Sequence, residues 1–348
     1  KLFNPFQSAY RPGHSTETAL VKIVNDLLLA LDKGKLSVLA LIDLSAAFDT
    51  VDHTILLNRL QFVFGIENTA LHWFTSYLTN RTQTFSINNN TSNPAPVSFG
   101  VPQGSVLGPV LFVLYTVPLS DVFSSHSVLH HSFADDTQLQ KSAQLQQLDT
   151  LIQSMQACIH DVKSWMTTNK LKLNDEKTEV MIVSSPRTST SLQVPDSIII
   201  GNSSVAFSDC VKNLGVSLDS HLTMHSHVIN VIRSINFELR RIGSIRHLLS
   251  YKTTQTLVSA FILSRLDYCS SLLFGCPQYL LNRLQKVQNN AARLVLRVRK
   301  SDHITPHLHS LHWLPVDSRI RYKIACLSYA AVSQTGPSYL TDLIHPYT

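Results

Sequence analysis

Two adjacent carboxylates, Asp135 and Asp136, stand between two extended runs, and that arrangement leaves the chain few local options. Before them, Ser127-Val128-Leu129-His130-His131-Ser132-Phe133 mixes apolar and polar residues as a pairing strand does. After them, Thr137-Gln138-Leu139-Gln140 is again extended. The spacing predicts a tight hairpin with both carboxylates at its turn. Adjacent like charges disfavour each other's ionisation, and a divalent cation removes that penalty. Alone, such a pair is an ordinary solvated turn; its meaning depends on what else the chain brings to it.

A second carboxylate motif precedes it. Leu36-Ser37-Val38-Leu39-Ala40-Leu41-Ile42-Asp43 is apolar on both faces, as a central buried strand is. Ending such a strand in Asp43 is costly unless the charge finds a partner. Leu44-Ser45-Ala46-Ala47-Phe48-Asp49 turns away from it, and a helix follows from about Asp52, a natural cap, to Leu60. Asp49, Asp52 and His53 do not by themselves make a metal site. If the strand and the hairpin are neighbours in one sheet, Asp43, Asp135 and Asp136 converge. Three such carboxylates suit a pair of Mg²⁺ ions, which take hard oxygen ligands and keep positions open for phosphate. Two ions roughly 3.5–4 Å apart stabilise both attacking and leaving oxygens in phosphoryl transfer. The chemistry implied is nucleotidyl transfer or phosphodiester hydrolysis.

Between these motifs lies Gly100-Val101-Pro102-Gln103-Gly104-Ser105-Val106-Leu107-Gly108-Pro109, a shaped loop with three glycines and two prolines in ten residues. Glycine lets backbone approach a ligand closely. A plain strand-to-helix connector needs only one or two of these residues.

Other elements follow from periodicity. An amphipathic helix spans 15 to 33, with Leu20, Ile23, Val24, Leu27, Leu28 and Leu31 on one face and Gly34 as its stop. It is preceded by the turn-rich segment 7 to 16, which carries Arg11. Residues 69 to 79 form a helix, and 82 to 88 and 96 to 99 form strands. A long helix covers 143 to 168, a strand covers 180 to 183, 198 to 205 is a hairpin, and 212 to 219 closes the β-rich part. After about 220 only helices are expected, at 223–249, 251–273, 278–298 and 317–333, rich in Arg and Lys. A domain boundary is placed near 220.

Composition narrows the class. The 348 residues suffice for two or three domains, and 44% hydrophobic with 15% charged residues is a globular balance. A net charge of +6 permits a polyanionic partner without requiring one. The five cysteines are widely spaced and form no zinc-ribbon pair, which predicts reduced thiols and an intracellular chain. The apolar run Val106 to Leu119 is short and broken by Gly108, Pro109 and Pro118, so no membrane partner is expected. Lys1-Leu2-Phe3-Asn4 is not an initiator sequence, and the chain reads as a fragment of something longer.

In order and spacing these segments resemble the motifs of reverse transcriptases. Leu41 to Asp49 is similar to motif A, Gly100 to Pro109 to motif B, and Phe133-Ala134-Asp135-Asp136 to motif C. Leu173 to Glu179 resembles motif D, and Asn213-Leu214-Gly215-Val216 the primer grip. The flavour is that of LINE-type retrotransposons lacking long terminal repeats, in the jockey-like and chicken-repeat-like group. Arg265 to Cys269 and Leu311 to Val316 look like that group too.

The resemblance implies an α+β fold with a right-hand polymerase architecture. Partial fingers would span 1–34. A palm, an antiparallel sheet with helices, would span 35–220 and carry an inserted fingers segment at about 60–99. A helical thumb and C-terminal extension would span 221–348. The implied activity is RNA-directed DNA polymerisation. Asp43, Asp135 and Asp136 would hold two Mg²⁺ ions, with Mn²⁺ as a substitute. Lys177 would protonate or neutralise the pyrophosphate leaving group. Phe48 would be the steric gate that excludes the 2′-hydroxyl. Gln103 and Gly104 would line the nascent pair, and Arg11 would reach nucleotide phosphates or template. The implied partners are an RNA template, a DNA primer and deoxynucleoside triphosphates. The full element would also carry an upstream endonuclease region and occupy nucleus and cytoplasm as a ribonucleoprotein. Two other readings remain on the residues alone: a non-catalytic remnant that binds nucleic acid, and a metal-dependent nuclease on another fold.

Overall fold

The fold is described from a computed structural model covering residues 3–45, 47–102, 104–189, 194–201 and 203–344. Gln103 lies outside the described residues. The chain divides into two compact units, Lys1–His14 with Ala30–Ser208, and Ser15–Leu29 with Asp209–Thr348.

The first unit is built on a four-stranded antiparallel sheet. Its strands are β1 (Leu36–Ile42), β2 (Leu129–Phe133), β3 (Asp136–Ala143) and β4 (Glu179–Val183), in the spatial order β4-β1-β3-β2. The doubly apolar strand expected around Asp43 is β1. It is central and buried along almost its whole length, because both its edges and both its faces are covered. Strand β3 runs further than the sequence predicts. Its pairing with β1 continues to Leu36↔Ala143, so the ladder also holds Lys141 and Ser142 and keeps Ala143, the expected helix start, extended.

Helices cover the sheet: α2 (His53–Phe62), α3 (Asn68–Leu78), α4 (Gly108–Thr116), α5 (Leu119–Ser125) and α6 (Leu148–Thr168); α1 (Thr16–Asp32) falls mostly in the second unit. The buried stripe of α6 follows the helical period: Leu148, Leu151, Ile152, Met155, Ile159, Val162 and Met166 join the core under β1. Leu56 and Leu60 of α2 and Leu111, Phe112 and Tyr115 of α4 enter the same core. A fully buried ring such as Phe112 contributes about 1.5–3 kcal/mol. Arg59 threads this core between the rings of Tyr115 and Trp165 and donates to Asn169 Oδ1 at 2.6 Å. Tyr115 Oη donates to the Asn169 carbonyl at 2.6 Å, so the buried polar groups here are paired.

The segment Gly108–Ser125 is long and apolar enough to cross a membrane by length and composition alone. It is folded as α4 and α5 around Pro118, with Leu111, Phe112, Tyr115, Leu119 and Phe123 in the core. The polar segment after α3 makes two small ribbons: Arg81–Gln83 pairs with Ala95–Val97, and Ser86–Ile87 with Asn90–Thr91. Asn88 and Asn89 turn the inner ribbon at φ 47° and 66°, which asparagine tolerates well.

In the second unit a hairpin, β5 (Cys210–Asn213) with β6 (Val216–Asp219), leads into helices. The principal ones are α7 (His225–Ser244), α8 (Gln278–Leu296) and α9 (Val316–Val332). The helix predicted over 251–273 is instead segmented into Tyr251–Val258, a π turn at Ser259–Leu263 and Ser264–Asp267. The first turns of α1 belong to this unit. Glu17 is buried there, accepts from Ser271 N at 3.0 Å and Ser271 Oγ at 2.7 Å, and pairs with Lys323 at 3.1 Å. All five cysteines are free thiols.

Candidate active site

The antiparallel register of β1 and β3 ends with Ile42↔Thr137. One step further sets Asp43 opposite Asp136. On the other side, β2 and β3 close at Phe133↔Asp136, leaving Ala134 and Asp135 as a two-residue turn. Ala134 has φ 58°, and only the first of the two turn residues has positive φ, as a type II′ turn requires. The sheet order therefore brings together the three carboxylates that lie some ninety residues apart in sequence.

Asp43 leaves β1 with its carbonyl accepting from Asn174 N at 2.9 Å. Its Oδ2 is buried without a hydrogen bond, and Lys177 Nζ stands 3.2 Å away. Lys177 ends the short 3-10 turn Asp175–Lys177, so the two motifs meet through that ion pair. Burial raises the Asp135 carboxyl above the ordinary carboxylate range; Asp43 adds to the rise, while a backbone hydrogen bond and Lys177 oppose it. Asp136 is also raised, by desolvation, then by Asp135 and Asp43, with Lys177 opposing. Its residue is open to solvent, and the neighbouring Asp135 and Asp43 carboxylates repel its charge.

Among the described residues no three His, Cys, Asp or Glu side chains are already gathered as a metal cage. The donor set nonetheless fits a divalent cation. It offers three hard carboxylates, among them the buried Asp43 Oδ2, which makes no hydrogen bond and stands 3.2 Å from Lys177 Nζ.

Phe48 is half-buried with its ring against Phe112, centroids 4.9 Å apart. Its carbonyl accepts from Val101 N at 2.9 Å, and Gly100 N donates to Val51 O at 2.8 Å, so the Gly/Pro-rich loop docks on the turn after Asp43. Gly100 has φ 86°, and a Cβ there would lie 2.9 Å from the Asp49 carbonyl oxygen, which is why no other residue fits. His53 Nε2 contacts the Gly100 carbonyl at 2.7 Å, and Asp52 caps α2 by accepting from Ile55 N at 3.0 Å. Those two residues thus hold the loop and the helix. Gly104 has φ 76° with open space around it, and Ser105 Oγ accepts from Gly108 N at 2.9 Å to start α4.

Arg11 Nη1 donates to the carbonyls of Asn4 at 2.9 Å and Gln7 at 2.8 Å. Sequence reasoning did not single out Gln7 or Tyr10, which also meet this site. Burial and then the Asp135 charge raise the Tyr10 hydroxyl. Gln7 bridges Ser132 of β2. Both lie in the turn-rich segment before α1, whose only visible signal was its density of turn residues.

In the second unit, the β5–β6 turn has Leu214 at φ 43° and Gly215 at φ 83°, and Tyr268 Oη donates to the Leu214 carbonyl at 2.6 Å.

The family model for reverse transcriptase (RNA-dependent DNA polymerase) matches residues 1–218. A probable RNA-directed DNA polymerase from transposon BS of Drosophila melanogaster is 27% identical over 85% of this chain and 33% of its own length. The RNA-directed DNA polymerase from mobile element jockey of the same organism is 27% identical over 70% of this chain and 26% of its own. The chain thus spans about a third of the length of the curated relatives it matches. Among solved structures, apo telomerase from Candida tropicalis aligns over 97% of this chain and 58% of its own, at 13% identity and a TM-score of 0.45, a likeness too remote to argue from.

Proposed function

Because this chain belongs to the reverse transcriptase (RNA-dependent DNA polymerase) family, we propose that it carries the nucleotidyl-transfer core of a retrotransposon RNA-directed DNA polymerase. The observation that carries this reading is the register that sets Asp43 opposite Asp136, with Asp135 in the adjoining turn. The substrates proposed are a primer 3′-hydroxyl and a deoxynucleoside triphosphate on an RNA template.

Asp43, Asp135 and Asp136 would hold Mg²⁺ or Mn²⁺, which when bound supplies charge stabilisation to the reacting phosphate oxygens. The chain's own residues orient and select. Lys177, paired with Asp43 and exposed, would bring a positive charge to where pyrophosphate departs. Phe48, braced by Phe112 and joined through its carbonyl to Val101 of the glycine loop, would exclude a 2′-hydroxyl. The open backbone at Gly104 leaves room for the nascent base pair. Catalysis would rest on positioning and electrostatics.

Primer extension on an RNA template with Mg²⁺, comparing the chain with its Asp135→Asn, Asp136→Asn double variant, tests the proposal. Extension by the parent alone is expected. Salt-sensitive duplex binding without extension by either would instead assign the chain a nucleic-acid-holding role.

A further inference from the structure

The turn that carries Asp135 is held from outside its own hairpin. Residues 6 to 8 lie along the free edge of β2: Ser8 N donates to Ser132 O at 2.9 Å, and Ser132 N donates to Phe6 O at 2.8 Å. Between them, Gln7 is only 5% exposed and turns its carboxamide toward the hairpin end. Gln7 Oε1 accepts from Ala134 N at 3.0 Å, and its Nε2 donates to Ala134 O at 3.3 Å. The same Oε1 accepts from Ala9 N at 2.9 Å, which fixes the rotamer.

Ala134 needs such a partner. The Phe133↔Asp136 pair closes the ladder below it, so the ladder offers its N–H and C=O nothing, yet the residue is buried. It also sits at φ 58°, a conformation an alanine holds only when its surroundings impose it. A two-point grip on both backbone groups of one residue fixes the orientation of the peptide plane that leads into Asp135. The grip is itself braced, since Arg11 Nη1 donates to the carbonyls of Asn4, Pro5 and Gln7.

We propose that Gln7 is a positioning residue for the metal-binding turn: its carboxamide clamps Ala134 and thereby aims Asp135. The inference rests on the functional reading above. It differs from an ordinary fold-holding role, in which loss of Gln7 would loosen the sheet as a whole.

The test uses the full chain and a Gln7→Met variant, which keeps length and apolarity but removes both hydrogen-bonding groups. Mn²⁺ is the probe, followed by loss of its free-ion electron paramagnetic resonance signal, with Asp135→Asn marking binding elsewhere. Outer contacts of this kind are worth about 10- to 100-fold in metal affinity or activity, so a loss of at least about tenfold in Mn²⁺ affinity is expected. Amide hydrogen exchange should quicken at 134–136 while β1 stays protected. Where the parent extends a primer, kcat should fall about tenfold with the nucleotide KM within about twofold, on the same basis. Parent-like Mn²⁺ binding in Gln7→Met overturns the proposal, as does a loss of binding accompanied by faster exchange throughout β1. A parent that binds Mn²⁺ through Asp135 but does not extend counts against the polymerase reading alone, and the Mn²⁺ comparison still decides the clamp.

Discussion

Asp43 and Asp136 face each other one step beyond the Ile42–Thr137 pair, at the open end of the β1–β3 ladder. Asp135 adjoins them in the turn. Burial and mutual repulsion raise the carboxyls of Asp135 and Asp136, so the metal-free protein carries an electrostatic cost at neutral pH. The Asp135→Asn, Asp136→Asn variant should therefore melt a few degrees above the metal-free parent, at roughly 2–4 °C per kcal/mol relieved. Mg²⁺ should raise the parent's midpoint and leave the variant's unchanged. Differential scanning calorimetry with and without Mg²⁺ makes the comparison, and an equal response of both proteins would remove the carboxylates from the metal site.

Phe48 is braced by Phe112 and sits on the loop that receives Gly100. Phe48→Val should cost about 1–3 kcal/mol of stability from lost ring packing. Under the proposed gating role it should also raise incorporation of ribonucleotides relative to deoxynucleotides. Competing single-nucleotide extensions read the ratio; lowered stability with unchanged sugar selection would leave Phe48 as a core ring only.

Two glycines of the same loop should respond differently. Gly100→Ala brings a Cβ to 2.9 Å from the Asp49 carbonyl oxygen and should cost several kcal/mol, about 1–3 for the backbone conformation alone. Gly104→Ala meets open space and bears only the conformational cost, about 1 kcal/mol. Urea unfolding of the two variants should rank them in that order.

His130 lies on β2 against Phe6 and Phe123, and burial pushes its imidazole down to about 4. The unfolded chain then binds a proton between the ordinary 6.5 and about 4 that the folded chain refuses. The stability His130 contributes is full above pH 6.5 and is lost as pH falls through that window. Its size is of order 1–3 kcal/mol. Urea midpoints at pH 7 and pH 5 should diverge in the parent and converge in His130→Gln; equal pH dependence would place the effect elsewhere.

The basic residues of the helical unit divide by what they touch. Arg246 donates to the carbonyls of Leu294, Leu249 and Val295, closing the end of α8. Arg283 and Lys286 on α8 are exposed. Replacing Arg283 and Lys286 by Ala should lower duplex affinity and reduce the salt slope by up to about 2, with stability unchanged. Arg246→Ala should lower stability and leave the slope alone. Fluorescence anisotropy across a salt series, alongside thermal unfolding, separates them.

The motifs were legible in the sequence because each is local. A doubly apolar run ending in Asp43 reads as a central strand, and Asp135-Asp136 between two extended runs marks a hairpin end, although the turn itself falls on Ala134-Asp135 and Asp136 opens β3, because it pairs with Phe133. The stripe of α6 and the Asp52 cap follow from a helical period and from the hydrogen-bonding needs of a helix end. What the tertiary structure alone decided is long-range. No pattern in the sequence states that β3 pairs with β1 at Ile42↔Thr137, and a one-residue slip would turn every side chain of β3 to the opposite face. The pairing of Lys177 with Asp43, the extension of β3 to Ala143, and the grip of Gln7 on Ala134 arise from chain segments many residues apart. Local propensity sets which residues turn and which extend; burial of backbone polar groups between distant segments sets which carboxylates share one end of the sheet.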